Sequence, residues 1–135
     1  MLIIVRVTAL YAGLYALLLL VLAARVSRLR RVHKVGLGDG GQAELSRAIR
    51  AHANALEWGL PFLVLLLVAE LNHASRALLH ACAIVFILAR VWHAQGLSGS
   101  GGYSRGRFLG SAASWAVIAL LAIYDIADFV ITLLA

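Results

Sequence analysis

A line of polar residues within an apolar region offers the first candidates for chemistry in this chain. Their spacings of three, four, three and four residues place them on one face of an α-helix with about 3.6 residues per turn. If the region crosses a membrane, each charge costs roughly 2.5–3.5 kcal/mol, so this face is expected to contact protein or a water-filled cavity. The line either binds a ligand or forms a buried network in which Arg50 pairs with Glu57 through Asn54. Its polar members are Arg47, Arg50, Asn54 and Glu57, and Pro61 continues the same spacing.

Further basic residues are expected on the same side of the membrane. Arg90 and His93 lie three residues apart in another apolar segment, so they share a helix face. A lone arginine near a helix end can also extend to lipid headgroups. Together with Arg50, and with Arg105 or Arg107, these residues predict a cationic pocket that suits an anionic, carboxylate-bearing ligand.

The other patterns in the chain predict little chemistry. The five histidines show neither H-x-x-x-H nor H-E-x-x-H spacing, which disfavours a metal site. Residues 36–41 satisfy G-x-G-x-x-G, but a basic helix end precedes them instead of a strand, so they are interpreted as a flexible turn between helices. Cys82 lies alone in an apolar run, and its expected role is that of a small buried hydrophobic residue.

These candidates must be positioned by membrane-spanning helices. The chain is 63% hydrophobic with a mean hydropathy of +0.93, above the roughly 45–50% apolar content of soluble domains. Only Trp58 to Ala69 is free of charge in the second apolar segment, too short for a bilayer core of about 30 Å, so that span must include the polar line. We predict an all-α integral membrane protein, a four-transmembrane-helix bundle in one domain over residues 1–135. The helices are expected at about residues 2–25, 44–71, 75–97 and 107–134.

The distribution of charge along the chain predicts its orientation in the membrane. Twelve Lys and Arg residues stand against six Asp and Glu, and the basic residues cluster at the ends of apolar segments. Such clusters are typical of membrane topology signals and of contacts with lipid headgroups, so nucleic acid is disfavoured as a partner. The first and third loops hold most of the basic residues. The positive-inside rule therefore predicts that both loops are cytoplasmic and that both termini lie on the opposite side.

Two motifs resemble a known family. The run RAHANALEWGLPF at residues 50–62 resembles the R-A-H-x-N-x-x-E-x-x-x-P-F signature of the membrane-associated proteins in eicosanoid and glutathione metabolism, the MAPEG family. The run ARVWH at residues 89–93 resembles the A-R-x-x-H element of the branch holding microsomal glutathione transferase and microsomal prostaglandin E synthase. The resemblance covers nearly the whole chain and indicates a bacterial-type member.

The resemblance implies a homotrimer of four-helix protomers that holds glutathione, the thiol co-substrate, at protomer interfaces on the cytoplasmic side. It also implies that an arginine near the start of the fourth helix stabilises the glutathione thiolate, and either Arg105 or Arg107 matches that role. Guanidinium groups suit the carboxylates of glutathione, and a glutamate suits its amino group. The positions that carry over to glutathione binding are Arg50, Asn54, Glu57, Arg90 and His93.

One departure from the family pattern leaves two functions open. Family enzymes commonly have a tyrosine four residues after the histidine position of the third helix, where this chain has Leu97, with Tyr103 as a substitute. The arginines favour a glutathione transferase or peroxidase that acts on lipophilic electrophiles from the bilayer. The missing tyrosine favours a non-catalytic membrane scaffold that binds lipid or a thiol.

Overall fold

Four helices make up most of the chain that the structure describes. The computed structural model describes residues 5–99 and 102–134. Within them each helix contains a stretch apolar enough to cross a membrane. The predicted all-helical, four-span architecture is confirmed for these residues. The helices are α1 (Arg6–His33), α2 (Ala43–Leu71), α3 (Arg76–Gly99) and α4 (Arg105–Leu134).

The first helix is longer than its apolar run predicts. An end near residue 25 was expected because the charges begin there, but α1 continues to His33; the expected start near residue 2 lies outside the described residues. At about 1.5 Å per residue, its 28 residues span about 42 Å, more than the roughly 30 Å core of a bilayer. Leu29 in the added turns packs with Leu45 and Ala48 of α2. The added turns of α1 are thus packed against α2 beyond the apolar run.

An aromatic cluster joins α1, α2 and α3. Phe62 of α2 stacks on Phe86 of α3, with ring centroids 3.9 Å apart and planes inclined by 8°. Tyr15 of α1 lies 5.8 Å from the Phe86 ring, and its hydroxyl donates to the carbonyl oxygen of Ala55 over 2.6 Å. A Cβ at Gly59 would overlap the Tyr15 ring, so this glycine allows α1 to approach α2.

Small residues bring α4 close to α3. Gly106, Gly110 and Ser114 recur every four residues and are all buried. A Cβ added at Gly110 would lie 2.6 Å from the carbonyl oxygen of Ala89, and one at Gly106 would lie 2.9 Å from that of Trp92. In lipid the hydrophobic effect does not drive helices together, so membrane helices associate through close packing. Stripes of small residues at this spacing allow that packing.

Side-chain hydrogen bonds fix the end of the bundle where α1 begins. Oε1 of Glu70, near the end of α2, accepts from the Val7 N–H over 2.8 Å, and Oε2 accepts from the Thr8 N–H over 2.7 Å. The first N–H groups of a helix lack partners within the helix and attract negative charge. The Tyr11 hydroxyl is 2.8 Å from Nδ1 of His80 in α3. These contacts tie α1 to both central helices.

The glycine-rich connection between α1 and α2 forms the expected turn. The Arg30 guanidinium donates to the carbonyl oxygens of Gly36 and Gly38, over 3.3 and 2.9 Å. Oδ1 of Asp39 accepts from the Gly41 N–H over 3.0 Å, and this hydrogen bond holds the pKa of the Asp39 carboxyl below its ordinary value. Hydrogen bonds thus hold a segment for which glycine content alone predicted flexibility.

Candidate functional site

A cationic cavity opens between α2, α3 and α4, at the end of the bundle where the basic loops lie. Its volume is about 260 Å³. The start of α2 supplies one wall, the end of α3 a second and the start of α4 a third. As far as the described residues define it, the lining contains three arginines and no carboxylate, which suits an anion. The lining residues are Ser46, Arg47, Arg50, Asn54, His93, Leu97 and Arg107.

The structure brings four of the predicted site residues to this cavity. Arg50 and Asn54 come from α2, His93 from α3 and Arg107 from α4. Of the two candidate arginines of α4, Arg107 lines the cavity, whereas Arg105 is exposed at the first position of α4. Nη1 of Arg107 donates to the carbonyl oxygen of Gly102 over 2.7 Å, which orients the guanidinium.

Arg90 lies behind the cavity wall, fully buried. Its Nη2 donates to Oδ1 of Asn54 over 2.5 Å, and its Nη1 donates to Oγ of Ser114 over 3.3 Å. The Ser114 hydroxyl in turn donates to the carbonyl oxygen of Gly110 over 2.7 Å. Arg90 therefore orients Asn54, whose amide N–H groups can donate to a ligand.

The expected Arg50–Glu57 network has a different geometry. In the described part of the chain the only salt bridge joins Arg25 to Glu44, at 3.7 Å, and Asn54 hydrogen-bonds Arg90 instead. Arg50 and Glu57 are both exposed in the isolated protomer, and Glu57 is absent from the cavity lining that the described residues form. The structure thus separates the polar line into an inner part at Asn54 and an outer part at Glu57.

Several buried polar atoms near the cavity have no hydrogen-bond partner among residues 5–99 and 102–134. They are Nε of Arg47, Nε of Arg90 and Nδ1 of His93. Buried polar groups in folded proteins are almost always hydrogen-bonded to protein, water or ligand. Two of these residues, Arg47 and His93, line the cavity.

A second, less polar cavity of about 360 Å³ adjoins the first and shares His93 and Arg107 with it. Tyr103 lies there with its side chain largely exposed. Leu97, by contrast, is buried and lines the cationic cavity, so no hydroxyl enters the cavity from that position. The remaining lining residues of the second cavity are Ser104, Phe108, Ser111 and Trp115.

Sequence reasoning missed Ser114, which hydrogen-bonds Arg90, and Ser46, which lines the cavity. A signal for Ser114 was present in the stripe of Gly106, Gly110 and Ser114, because this spacing marks the face of α4 that packs against α3. No comparable pattern marks Ser46.

Together, the fold and the cavity define a multi-pass helical membrane protein with a polar site among its second, third and fourth helices. The sequence profile of the MAPEG family matches residues 8–127, so the chain belongs to that family. Two relatives, both named inner membrane protein YecN, come from Escherichia coli K12 and Escherichia coli O6:H1. Each is 39% identical to this chain over 120 residues, which cover 89% of this chain and 90% of the relative. The spans and the relatives identify a multi-pass integral membrane protein.

Proposed function

We propose that the protein binds glutathione in the cationic cavity and uses its thiol to attack lipophilic electrophiles that arrive from the bilayer. One observation carries the proposal: Arg50 and Asn54 of α2, His93 of α3 and Arg107 of α4 line one cavity without a carboxylate among its described lining residues. Membership of a family that includes glutathione transferases supports it.

The charges of the cavity match those of glutathione. Arg47 and Arg50 provide guanidinium groups for its two carboxylates. The Asn54 amide, held by Arg90, can donate to a peptide carbonyl. Glu57 follows Asn54 by three residues on α2, and its carboxylate suits the amino group of the ligand.

Arg107 is the residue that we assign to the thiol. A guanidinium beside a sulfur favours its ionised form and so lowers the pKa of the thiol. The thiolate sulfur then attacks an electrophilic carbon, and an S–C bond forms while the leaving group departs with the bonding electron pair. The thiol proton passes to solvent beforehand. The adjoining cavity, with Phe108 and Trp115 in its wall, offers an apolar place for the electrophile.

The protomer is proposed to act as a homotrimer. Arg50 and Glu57 are exposed on a helix long and apolar enough to cross the membrane. Because charged residues in a bilayer face protein or water, a second copy is the expected cover for this face. The ligand would then lie between two protomers. By the positive-inside rule, this end of the bundle faces the cytoplasm.

A second candidate function rests on Leu97. Its side chain enters the cavity where family enzymes commonly supply a tyrosine, so a hydroxyl that could assist the thiol is missing. This observation favours a non-catalytic membrane protein that binds a thiol or lipid and presents it to a partner. Such a protein would bind glutathione without forming a thiolate or conjugating an electrophile.

Calorimetric titration and ultraviolet absorbance of the detergent-solubilised protein test the proposal. Glutathione should bind the wild type, with affinity falling at least about tenfold in Arg50→Ala, because hydrogen bonds to charged groups contribute about 1.5–3 kcal/mol. Thiolate absorbance should appear on binding and vanish in Arg107→Ala, with conjugation slowed roughly 100-fold or more, as when a charge-stabilising donor is removed.

Arg105→Ala is the matched control and should keep both the absorbance and the turnover. No glutathione binding by the wild type would refute the thiol site itself. Binding without thiolate or turnover would favour the scaffold function instead.

A further inference from the structure

A groove between α1 and α3 lies apart from the cationic cavity, at the same end of the bundle. Its volume is about 470 Å³, and most of its lining is apolar. Leu18, Val21 and Leu22 of α1 face Val91 and Ala94 of α3 across it. Arg25 and Ser98 stand at its basic end.

The body of α3 separates the two sites. His93 and Leu97 face the cationic cavity, whereas the groove is lined by Ala94 and Ser98, each one residue further along. Leu22 packs with Ala94 and Leu97 in a buried cluster between them. A molecule in the groove would therefore occupy different space from one in the cavity.

The position of Arg25 along α1 indicates that it lies near the lipid headgroups. The uncharged run of α1 ends at Ala24, and α1 continues beyond it as a charged helix to His33. Arg25 is the first charge after that run, and its guanidinium donates to the Ser98 hydroxyl. The groove thus has an apolar channel and, at the membrane surface, a cation with a hydroxyl beside it.

One nearby carboxylate would repel an anion bound beside Arg25. Glu44 lies 3.7 Å from Nη2 of Arg25, with side chains 49% and 30% exposed. This distance exceeds hydrogen-bond length, and exposed ion pairs are weak. The guanidinium has five N–H groups, so it can still donate to a phosphate.

We propose that the α1–α3 groove binds one anionic phospholipid per protomer. The phosphate lies against Arg25 and Ser98, and one acyl chain follows the groove towards Leu18. From residue 25 to residue 18 the helix rises by about 10 Å, which accommodates the upper part of an acyl chain. The charge of Arg25 and the apolar walls together specify an amphiphile rather than a soluble anion. Lipid binding in this groove does not require glutathione binding in the cationic cavity.

Native mass spectrometry of delipidated protein in a neutral detergent tests the proposal. Phosphatidylglycerol and phosphatidylcholine with identical acyl chains are compared with inorganic phosphate. We expect one phosphatidylglycerol per protomer, bound at least tenfold more tightly than phosphatidylcholine, and no phosphate bound at the same concentrations. Equal affinity for the two lipids would overturn the proposal, and binding of phosphate alone would do the same.

Paired variants assign the site. Arg25→Gln should abolish the preference for phosphatidylglycerol, whereas Arg28→Gln, exposed on the same helix, should retain it. Val21→Phe narrows the groove and should displace the acyl chain, whereas Leu20→Phe, on the exposed face beside it, should not. Glu44→Gln removes the opposing charge and should tighten phosphatidylglycerol binding.

If the two variants of each pair bind phosphatidylglycerol equally, the lipid lies elsewhere and the proposed groove site is refuted. A wild type that binds no lipid, with Val21→Phe changing the oligomeric mass and Leu20→Phe leaving it intact, would show that a second copy fills the groove.

Discussion

Arg90 of α3 hydrogen-bonds both α2 and α4 from the interior of the bundle. A fully buried guanidinium is costly unless its N–H groups are paired, and here α2 and α4 each supply one oxygen. The same arginine positions Asn54 at the cavity wall. The stability of the bundle and the position of a cavity side chain are therefore linked at this residue.

Asn54→Ala should lower the free energy of unfolding by about 1.5–3 kcal/mol, the usual range for a hydrogen bond to a charged group. Asn54→Asp keeps an acceptor for Nη2 of Arg90, and we expect its stability to equal or exceed that of the wild type. Thermal unfolding in detergent, followed by circular dichroism, measures both. Equal losses in the two variants would contradict the assigned hydrogen bond.

At the scale of single residues, the candidate site was only partly predictable from the sequence. Spacing places Arg50 and Asn54 on one helix face, but whether a residue points to a cavity depends on the rotation of each helix within the bundle. This rotation brings Arg107 to the cavity, leaves Arg105 outside it and puts Glu57 on an exposed face. The sequence alone contains no measure of that rotation.

At the scale of the helices, close approach depends on single glycines. Gly59 of α2 receives the Tyr15 ring, whereas Gly13 of α1 has no atom within 4 Å of the place where a Cβ would stand. The two glycines therefore form a matched pair for testing the packing of α1 on α2.

Gly59→Ala should destabilise the bundle by about 1–3 kcal/mol, the usual cost of overpacking, because the Tyr15 ring must move and its hydrogen bond to Ala55 is lost. Gly13→Ala should leave stability unchanged or raise it by up to about 1 kcal/mol, since alanine is the better helix former. Denaturation by a strong detergent compares the two. A stable Gly59→Ala variant would show that α1 does not approach α2 this closely.

The helices themselves were largely predictable, because apolar length and membrane thickness limit where a span can lie. The extension of α1 to His33 was not predictable, since it depends on the packing of Leu29 against Leu45 and Ala48 across the turn. The capping of α1 by Glu70 was also hidden, because these residues are more than sixty positions apart.

At the scale of the whole molecule, the exposed charges of Arg50 and Glu57 on α2 favour the proposed contact with other copies of the chain. We expect native mass spectrometry of the detergent-solubilised protein to show three copies. Arg50→Leu with Glu57→Leu should alter the fraction of trimer, whereas the apolar exchange Leu60→Val on the same helix should not. A monomer as the only species would contradict the trimer.

The connection held by Arg30 has a consequence for the energetics of ligand binding. It leads directly into the start of α2, which carries Ser46, Arg47 and Arg50 to the mouth of the cavity. Hydrogen bonds within the protomer restrict the backbone of this segment before any ligand arrives. The mouth is preorganised, so less entropy is lost on binding than a free glycine-rich loop would lose.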